Sequence, residues 1–307
     1  MSVRSLHPLD APRQLLPGRL AGENLAVVRG QAGRPPERLT PARLVRRSAA
    51  PRSAGRAVVS VDGALLDALV EARPRSGPRS WEVARLFAKD NGERLPGALF
   101  DLCASRVAEG GGERLFLRTP LDAEADQAAQ RAQFARAHVE EAYRTDKPLR
   151  FGAGGATLLL RPALPSDEQA LFRLYNATVP ASVRSAAGLT VEQWCDSQER
   201  AWGEERTYLW EDGGQIRGWV RLAHRGEDLI IDALLHPDET AAAPALAGDA
   251  ARLAWGHARA VWTVEGYQPA LALALKRAGW ESGAAYSVLA RPVAKRVDEP
   301  ALALARA

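Results

Sequence analysis

Sulfur is almost missing from this 307-residue chain, which has two cysteines and one methionine. Cys103 and Cys195 cannot build a disulfide framework, and a metal site made of thiolates is excluded. The five histidines, His7, His138, His224, His236 and His257, show no ligand spacing, so no metal is expected. No apolar run approaches the roughly 20 residues that cross a bilayer. The opening MSVRSLHPLD lacks the apolar core of a signal peptide. These absences predict a cytoplasmic protein with no membrane partner. Lysine is scarce too: only Lys89, Lys147, Lys276 and Lys295 occur, and the basic residues are otherwise arginine.

What remains is ordinary for a soluble globular protein, with 46% hydrophobic and 25% charged residues. The length suits two domains of common size. The net charge of +4 is mild. Eight arginines and one acid, Glu37, lie between Arg29 and Arg56. Such a stretch can contact phosphates. It lacks the interleaved aromatics of a nucleic-acid platform, so it reads as a solvated basic connector and no nucleic-acid partner is expected.

An internal repeat organises the chain. Arg4, Pro8 and Asp10 form R-x3-P-x-D, and so do Arg161, Pro165 and Asp167, at an offset of 157. Asp62-Gly63 and Asp212-Gly213 each follow a strand-like run. Asp90 precedes Pro96 as Asp238 precedes Pro244. Gln130 to Phe134 then matches Lys276 to Trp280 at an offset of 146. A slowly falling offset is the pattern of small loop deletions in one shared topology. The expected units are 1–144 and 157–293, with a linker over 145–156 containing Pro148 and the glycines near 152–155. A tail over 294–307 has no turn signals.

The second unit reads as a strand over 156–160, then helix-start residues at Pro165 and Asp167 before an amphipathic helix bearing Leu171, Leu174 and Tyr175. Thr190 and Gln193 form a capping box for the helix carrying Trp194. A hairpin turns at Asp212-Gly213-Gly214. Leu229 to Leu235 is apolar almost throughout, as in a strand covered on both faces. Pro244 opens a helix, 261–264 is a strand, Pro269 opens a helix stopped by Gly279, and 286–290 is a last strand. The first unit follows the same order, with its opening helix replaced by the arginine-rich stretch.

This order, with the two R-x3-P-x-D openings, the Asp212-Gly213 hairpin and the run Lys276-Arg277-Ala278-Gly279-Trp280, resembles the GNAT superfamily of N-acetyltransferases. The resemblance implies an α/β (α+β) fold of two tandem GNAT-like domains forming an intramolecular pseudo-dimer. Each would be a mixed, mostly antiparallel twisted sheet flanked by helices. It further implies acetyl-CoA as co-substrate and an amine as acceptor. In the family, acyl-CoA lies in a V-shaped gap beside the fourth strand, and its diphosphate rests on free amides at the next helix start. Carried onto this sequence, the cofactor-binding positions are Leu234, Leu235, His236, Thr240, Ala241 and Ala243.

The sequence departs from the family there. The glycines of the phosphate loop fall near Ala241, Ala243 and Ala245, and Pro244 removes one amide. Leu275 and Ala129 stand where the family often has a general-acid tyrosine; Tyr286 and Tyr267 are the candidate substitutes. Asp232, isolated inside an apolar strand, is the candidate base; the plainer alternative is that it pairs with one of the arginines. The expected function is therefore acyl-CoA-dependent N-acyl transfer in the second unit. The other possibility is an inactive tandem protein that binds a metabolite or a protein.

Overall fold

The computed structural model describes residues 2–15, 20–48, 56–62, 65–93, 95–145, 157–199, 203–225, 228–254 and 259–293. The linker from 146, the tail from 294, the Gly63 turn, Trp202, Trp255 and His257 lie outside them.

The N-terminal copy contains β1 (Ser2–Ser5), α1 (Pro41–Ser48), β2 (Arg56–Asp62), β3 (Leu65–Pro74), β4 (Ser80–Ala88), α2 (Gly97–Glu109), β5 (Arg114–Pro120), α3 (Glu124–Arg131) and β6 (Ala135–Thr145). The C-terminal copy repeats the order with β7 (Leu160–Pro162), α4 (Glu168–Thr178), α5 (Ala181–Ala187), α6 (Val191–Ser197), β8 (Glu205–Asp212), β9 (Gln215–Arg225), β10 (Asp228–Leu235), α7 (Ala243–Leu253), β11 (Arg259–Glu265), α8 (Pro269–Arg277) and β12 (Glu281–Pro292). The strand expected over 156–160 is thus displaced to β7, where Leu160 to Pro162 find backbone partners on β8.

Each repeated motif builds the same local structure twice. Arg4 Nη1 donates to Asp10 Oδ2 at 2.7 Å, and Arg161 Nη1 to Asp167 Oδ2 at 2.7 Å. The same carboxylates accept from the backbone amides of His7 and Leu164. The last helices of the two copies, α3 and α8, end alike: Phe134 N bonds Ala129 O and Trp280 N bonds Leu275 O, each at 3.1 Å. Between them sits a left-handed residue, Gln133 at φ 66° and Gly279 at φ 83°. Glycine takes that conformation without steric cost and glutamine does not, so the first copy carries the more strained end. Thr190 Oγ1 caps α6 by accepting from Gln193 N, while the Gln193 side chain reaches back to Leu189 N.

The two copies form one sheet of twelve strands in the order β1-β2-β3-β4-β5-β12-β6-β11-β10-β9-β8-β7. Among the described residues, only the β4–β5 and β10–β11 pairs are parallel. The last strand of each copy has crossed to the other. β12 lies between β5 and β6, and β6 lies between β12 and β11. Their side chains cross with them. Leu289 of β12 is buried in the N-terminal core beneath α2, with Phe100, Val107 and Leu117. Tyr143 of β6 is buried in the C-terminal core beneath α7 and α8, with Leu229, Trp262 and Trp280. Burying such a leucine is worth about 1.5–3 kcal/mol.

Without its partner, each copy would expose one long edge of its fifth strand together with part of its core. Residues 1–145 and 157–307 expressed separately are expected to be unfolded or aggregated, and to give a soluble, cooperatively melting complex when co-expressed. Circular dichroism and gel filtration of the three preparations check this, and independent two-state melting of either half would contradict it.

Candidate functional site

In both copies the parallel pair holds together for only a few residues and then parts. β4 pairs with β5 from Ser80 to Glu82, and β10 pairs with β11 from Asp228 to Ile231. Past those points β4 and β10 keep their antiparallel neighbours, so one backbone edge of each turns into a V-shaped gap.

The chain itself fills the first gap. Residues 24–28 run between the parted strands, with Leu25 N bonded to Leu86 O and Val27 N to Arg118 O, each at 2.8 Å. The Asn24 carboxamide donates to Ala84 O and accepts from Leu86 N. Asn24, Ala26 and Val28 are buried there.

The second gap is spanned at one place. Gln268 accepts from Leu235 N through Oε1 and donates to Leu235 O through Nε2, both at 3.1 Å. Beyond it, the chain after His236 forms a 3-10 turn over Pro237–Ala242 rather than a bare-amide loop. Asp238 N donates to His236 Nδ1, Glu239 N to His236 O and Ala243 N to Thr240 O. Asp238 and Glu239 add negative charge. The donors named here at the start of α7 are therefore already used.

Where the second gap opens, a cavity of about 120 Å³ lies among Asp232, Glu265, Tyr267, Trp194, Trp219 and Tyr175. Its wall is a buried charge cluster contributed by both copies. The Arg29 guanidinium, at the end of the inserted segment, pairs with Asp232 and stands 3.6 Å from Glu265 and 3.8 Å from Glu199. Arg221 donates to Asp232 at 3.0 Å. Arg118 bonds Glu140 at 2.5 Å and Glu199 at 2.9 Å. Arg75 lies 3.5 Å from Glu82 and stacks on the Phe116 ring at 3.9 Å.

Burial works against every charge here, and the pairing decides which charges survive. Burial pushes Glu140 up, but Arg118 and the His138 hydrogen bond outweigh it and bring the carboxyl down to about 2. Glu199 is likewise buried, and Arg118, Arg29 and Arg75 hold it well below the usual carboxylate range. Glu265 goes the other way. Burial raises it and the Asp232 charge adds to the rise, more than Arg29 offsets, so its carboxyl is pushed up to about 8. Burial, with Glu265 beside it, also holds the Tyr267 hydroxyl well above its ordinary range. No group of three or more His, Cys, Asp or Glu side chains among the described residues is arranged to hold a metal.

The structure brings some of the expected site residues together and leaves others apart. Asp232, Leu234 and Tyr267 line the cavity. Asp232 is held by two arginines, with Oδ1 left unpartnered. Leu235 faces Gln268 through its backbone, and His236 N is bonded to Arg217 O. Thr240 and Ala241 sit in the 3-10 turn, and Ala243 begins α7. Tyr286 is not at the cavity. Its hydroxyl accepts from Gly33 N at 2.9 Å, in a separate cluster with Ile230 and Val261. Arg29 and Arg34, read from the sequence as part of a solvated connector, are instead paired with Asp232 and Asp228.

Glu265, Glu199 and Arg29 at the cavity, and Gln268 on Leu235, were not among the candidate residues expected from the sequence. Glu265 closes an apolar strand, AVWTVE, as Asp232 interrupts LIIDALL, so one signal marked both.

Removing one partner from a buried pair leaves a charge in low dielectric. Arg118→Met is expected to destabilise the fold by about 3–5 kcal/mol at neutral pH by stranding Glu140 and Glu199. Denaturant titration checks it; a loss below 1 kcal/mol would mean that the cluster is solvated.

No family model matches the chain, and no curated protein sequence matches it either. Solved structures do. A GCN5-related N-acetyltransferase from Sphaerobacter thermophilus superposes with a TM-score of 0.55 at 14% identity, covering 97% of each chain. A protein of unknown function from Staphylococcus epidermidis superposes with a TM-score of 0.50 at 11% identity, over 73% of this chain and 91% of the other. A tandem GNAT protein of the clavulanic acid biosynthesis pathway aligns over 96% of this chain and 99% of the other at 13% identity, with a TM-score of 0.48. The chain has the fold of the GNAT N-acetyltransferases, repeated in tandem and joined through one mixed, mostly antiparallel sheet.

Proposed function

We propose that the chain is an acyl-CoA-dependent N-acyltransferase with one working site, in the C-terminal copy, and that the N-terminal copy is its structural partner. The observation that carries this reading is the parting of β10 from β11 after Ile231, onto a cavity that holds Asp232, Glu265 and Tyr267. The N-terminal gap is already occupied by residues 24–28.

The residues fit the co-substrate in part. The Gln268 carboxamide on Leu235 stands in for an amide of a pantetheine arm, since it uses the donor and the acceptor that such an amide would use. The diphosphate is less well provided for, because Asp238 N, Glu239 N and Ala243 N are already bonded and Asp238 and Glu239 repel it. The arm would supply most of the binding, so affinity should be weak. Acetyl-CoA supplies the thioester: the amine nitrogen forms the amide bond as the C–S bond breaks and the thiolate departs.

The chain's own part is positioning and one proton. Glu265 takes a proton from the acceptor amine, and Arg29 and Arg221 fix the Asp232 carboxylate beside it. A base is most useful with a pKa near the working pH, and Glu265, pushed up to about 8, meets that condition. The spent donors after His236 favour a second reading, a ligand-binding module without turnover. Mass-spectrometric detection of an N-acylated amine formed from acetyl-CoA separates the two.

Turnover needs ionised Glu265, so the rate is expected to rise with pH through about 8 and level off above it. Glu265→Gln should lower kcat/KM by roughly 10²- to 10⁴-fold. The native state holds the Glu265 proton more tightly than the unfolded chain does. Its stability contribution is therefore full below the unfolded value of 4.5 and lost as pH climbs through about 8. Glu265→Gln should abolish that loss, and a pH-rate profile unchanged in the variant would remove Glu265 from the chemistry.

Gln268→Ala frees both backbone groups of Leu235. Titration calorimetry is expected to show acetyl-CoA binding about tenfold tighter, the worth of one or two hydrogen bonds no longer displaced. Unchanged or weaker affinity would move the arm away from Leu235.

A further inference from the structure

The cavity has its own chemistry, and that chemistry points to what enters it. Three buried carboxylate oxygens have no hydrogen-bond partner among the described residues: Glu140 Oε1, which lies 2.5 Å from Arg118 Nε, and Asp232 Oδ1 and Glu265 Oε2. The last two belong to carboxylates gathered around the one Arg29 guanidinium. Buried groups able to donate are left over too, Tyr175 Oη and His138 Nδ1 at the same cavity among them, while the Nε atoms of Arg29, Arg75 and Arg118 each lie within 3.8 Å of a carboxylate. The acid pair itself calls for a donor, and a cation with N–H groups supplies it best.

The charge count agrees. Arg29, Arg73, Arg75, Arg118 and Arg221 balance Glu82, Glu140, Glu199, Glu205 and Asp232, each within ion-pair distance of an opposite partner. Glu265 is the sixth acid and shares Arg29 with Asp232. Its ionisation leaves the cluster one negative charge in excess. Against the same wall, through Trp194, Gln198, Glu199 and Arg221, lies an outer pocket of about 460 Å³. Among its described lining residues Glu199 and Glu205 are paired with arginines, and Glu168 adds a further acid at the approach. Tyr175, Trp194, Trp219 and Tyr267 line the cavity, and aromatic walls suit an alkyl body and a nearby ammonium. A dry cavity of roughly 150 Å³ takes a six-carbon ring; this one, at about 120 Å³, takes slightly less.

We propose that the acceptor is a compact primary alkylamine of about five or six non-hydrogen atoms, held as its ammonium ion by the unpartnered carboxylate oxygens of Asp232 and Glu265. The word acceptor rests on the transferase reading above; the amine site itself does not. Glu265 is faced by Asp232 on β10, Arg29 on the inserted segment, Glu140 and His138 on β6, and Tyr267 in its own loop. In this setting its proton is held at neutral pH until a second cation arrives. Binding the ammonium expels that proton to solvent. The carboxylate then takes one proton from the ammonium to give the free amine, and after attack the second amine proton goes to the departing thiolate.

The test is titration calorimetry of the full chain at pH 7 with n-butylamine, 1-butanol and butyrate, in two buffers of different ionisation enthalpy. The expected result is saturable binding of butylamine with release of close to one proton, and binding of the alcohol and the carboxylate at least tenfold weaker. Glu265→Gln, which keeps the shape of the protonated acid, should stay folded by circular dichroism, bind butylamine at least tenfold more weakly and release no proton. No butylamine binding, equal binding of the alcohol, preference for butyrate, or proton release undiminished in Glu265→Gln would each overturn the proposal. Butylamine bound with proton release but never acetylated would keep the amine site and sink the transferase reading. Acetylation of large amines only would overturn the compact acceptor.

Discussion

The pairing of β6 with β11 and β12 is the constraint on which the rest of this structure depends. It joins two repeated units into one sheet and leaves neither with a complete core of its own. It also sets Glu140 of β6 directly across from Glu265 of β11. Two carboxylates at neighbouring buried positions cannot both ionise cheaply. Arg118, reaching from β5, settles the competition in favour of Glu140. Burial and the Asp232 charge raise Glu265 most, and Glu140, brought across by strand exchange, adds to that rise.

The same joint explains why so many charges are buried. Three guanidiniums of the cluster are paired with carboxylates that are remote in sequence: Arg29 with Asp232, Arg118 with Glu199, Arg75 with Glu199. Such pairs add little net stability compared with a packed apolar contact, since desolvation cancels much of the attraction. They do penalise any misalignment of the copies, because a shift would strand a charge. The 196–199 segment is further held by Arg75 on Ser197 O and by Ser76 N on Gln198 O. Rigid placement of this kind is what a site acting by position needs.

The two gaps have diverged by different means. A strand-like stretch, with Asn24 bonded to the β4 backbone, fills the first, and a single side chain, Gln268, spans the second. A gap filled by backbone stays closed unless the segment unfolds from buried contacts at Ala26 and Val28. A gap bridged by one carboxamide opens by rotating one side chain. The filled gap also ends in Arg29, so the segment that closes one copy organises the acid pair of the other.

Much of the architecture was legible in the residues. The R-x3-P-x-D motifs, the Asp212-Gly213-Gly214 turn, the all-buried β10 and the matched ends of α3 and α8 report local chemistry, which short stretches carry by themselves. Asp232 stood out for the same reason: an acid in an apolar strand is a local anomaly. The sequence by itself determined that one unit is present twice, what its elements are, and that one strand carries an acid it must compensate. Only the tertiary structure decided which arginine compensates it, that residues 24–28 close the first gap, and that the last strands change places. Those outcomes are set by which surfaces meet across some two hundred residues, and in a low-dielectric interior the partner of a charge, not the charge itself, determines what it can do.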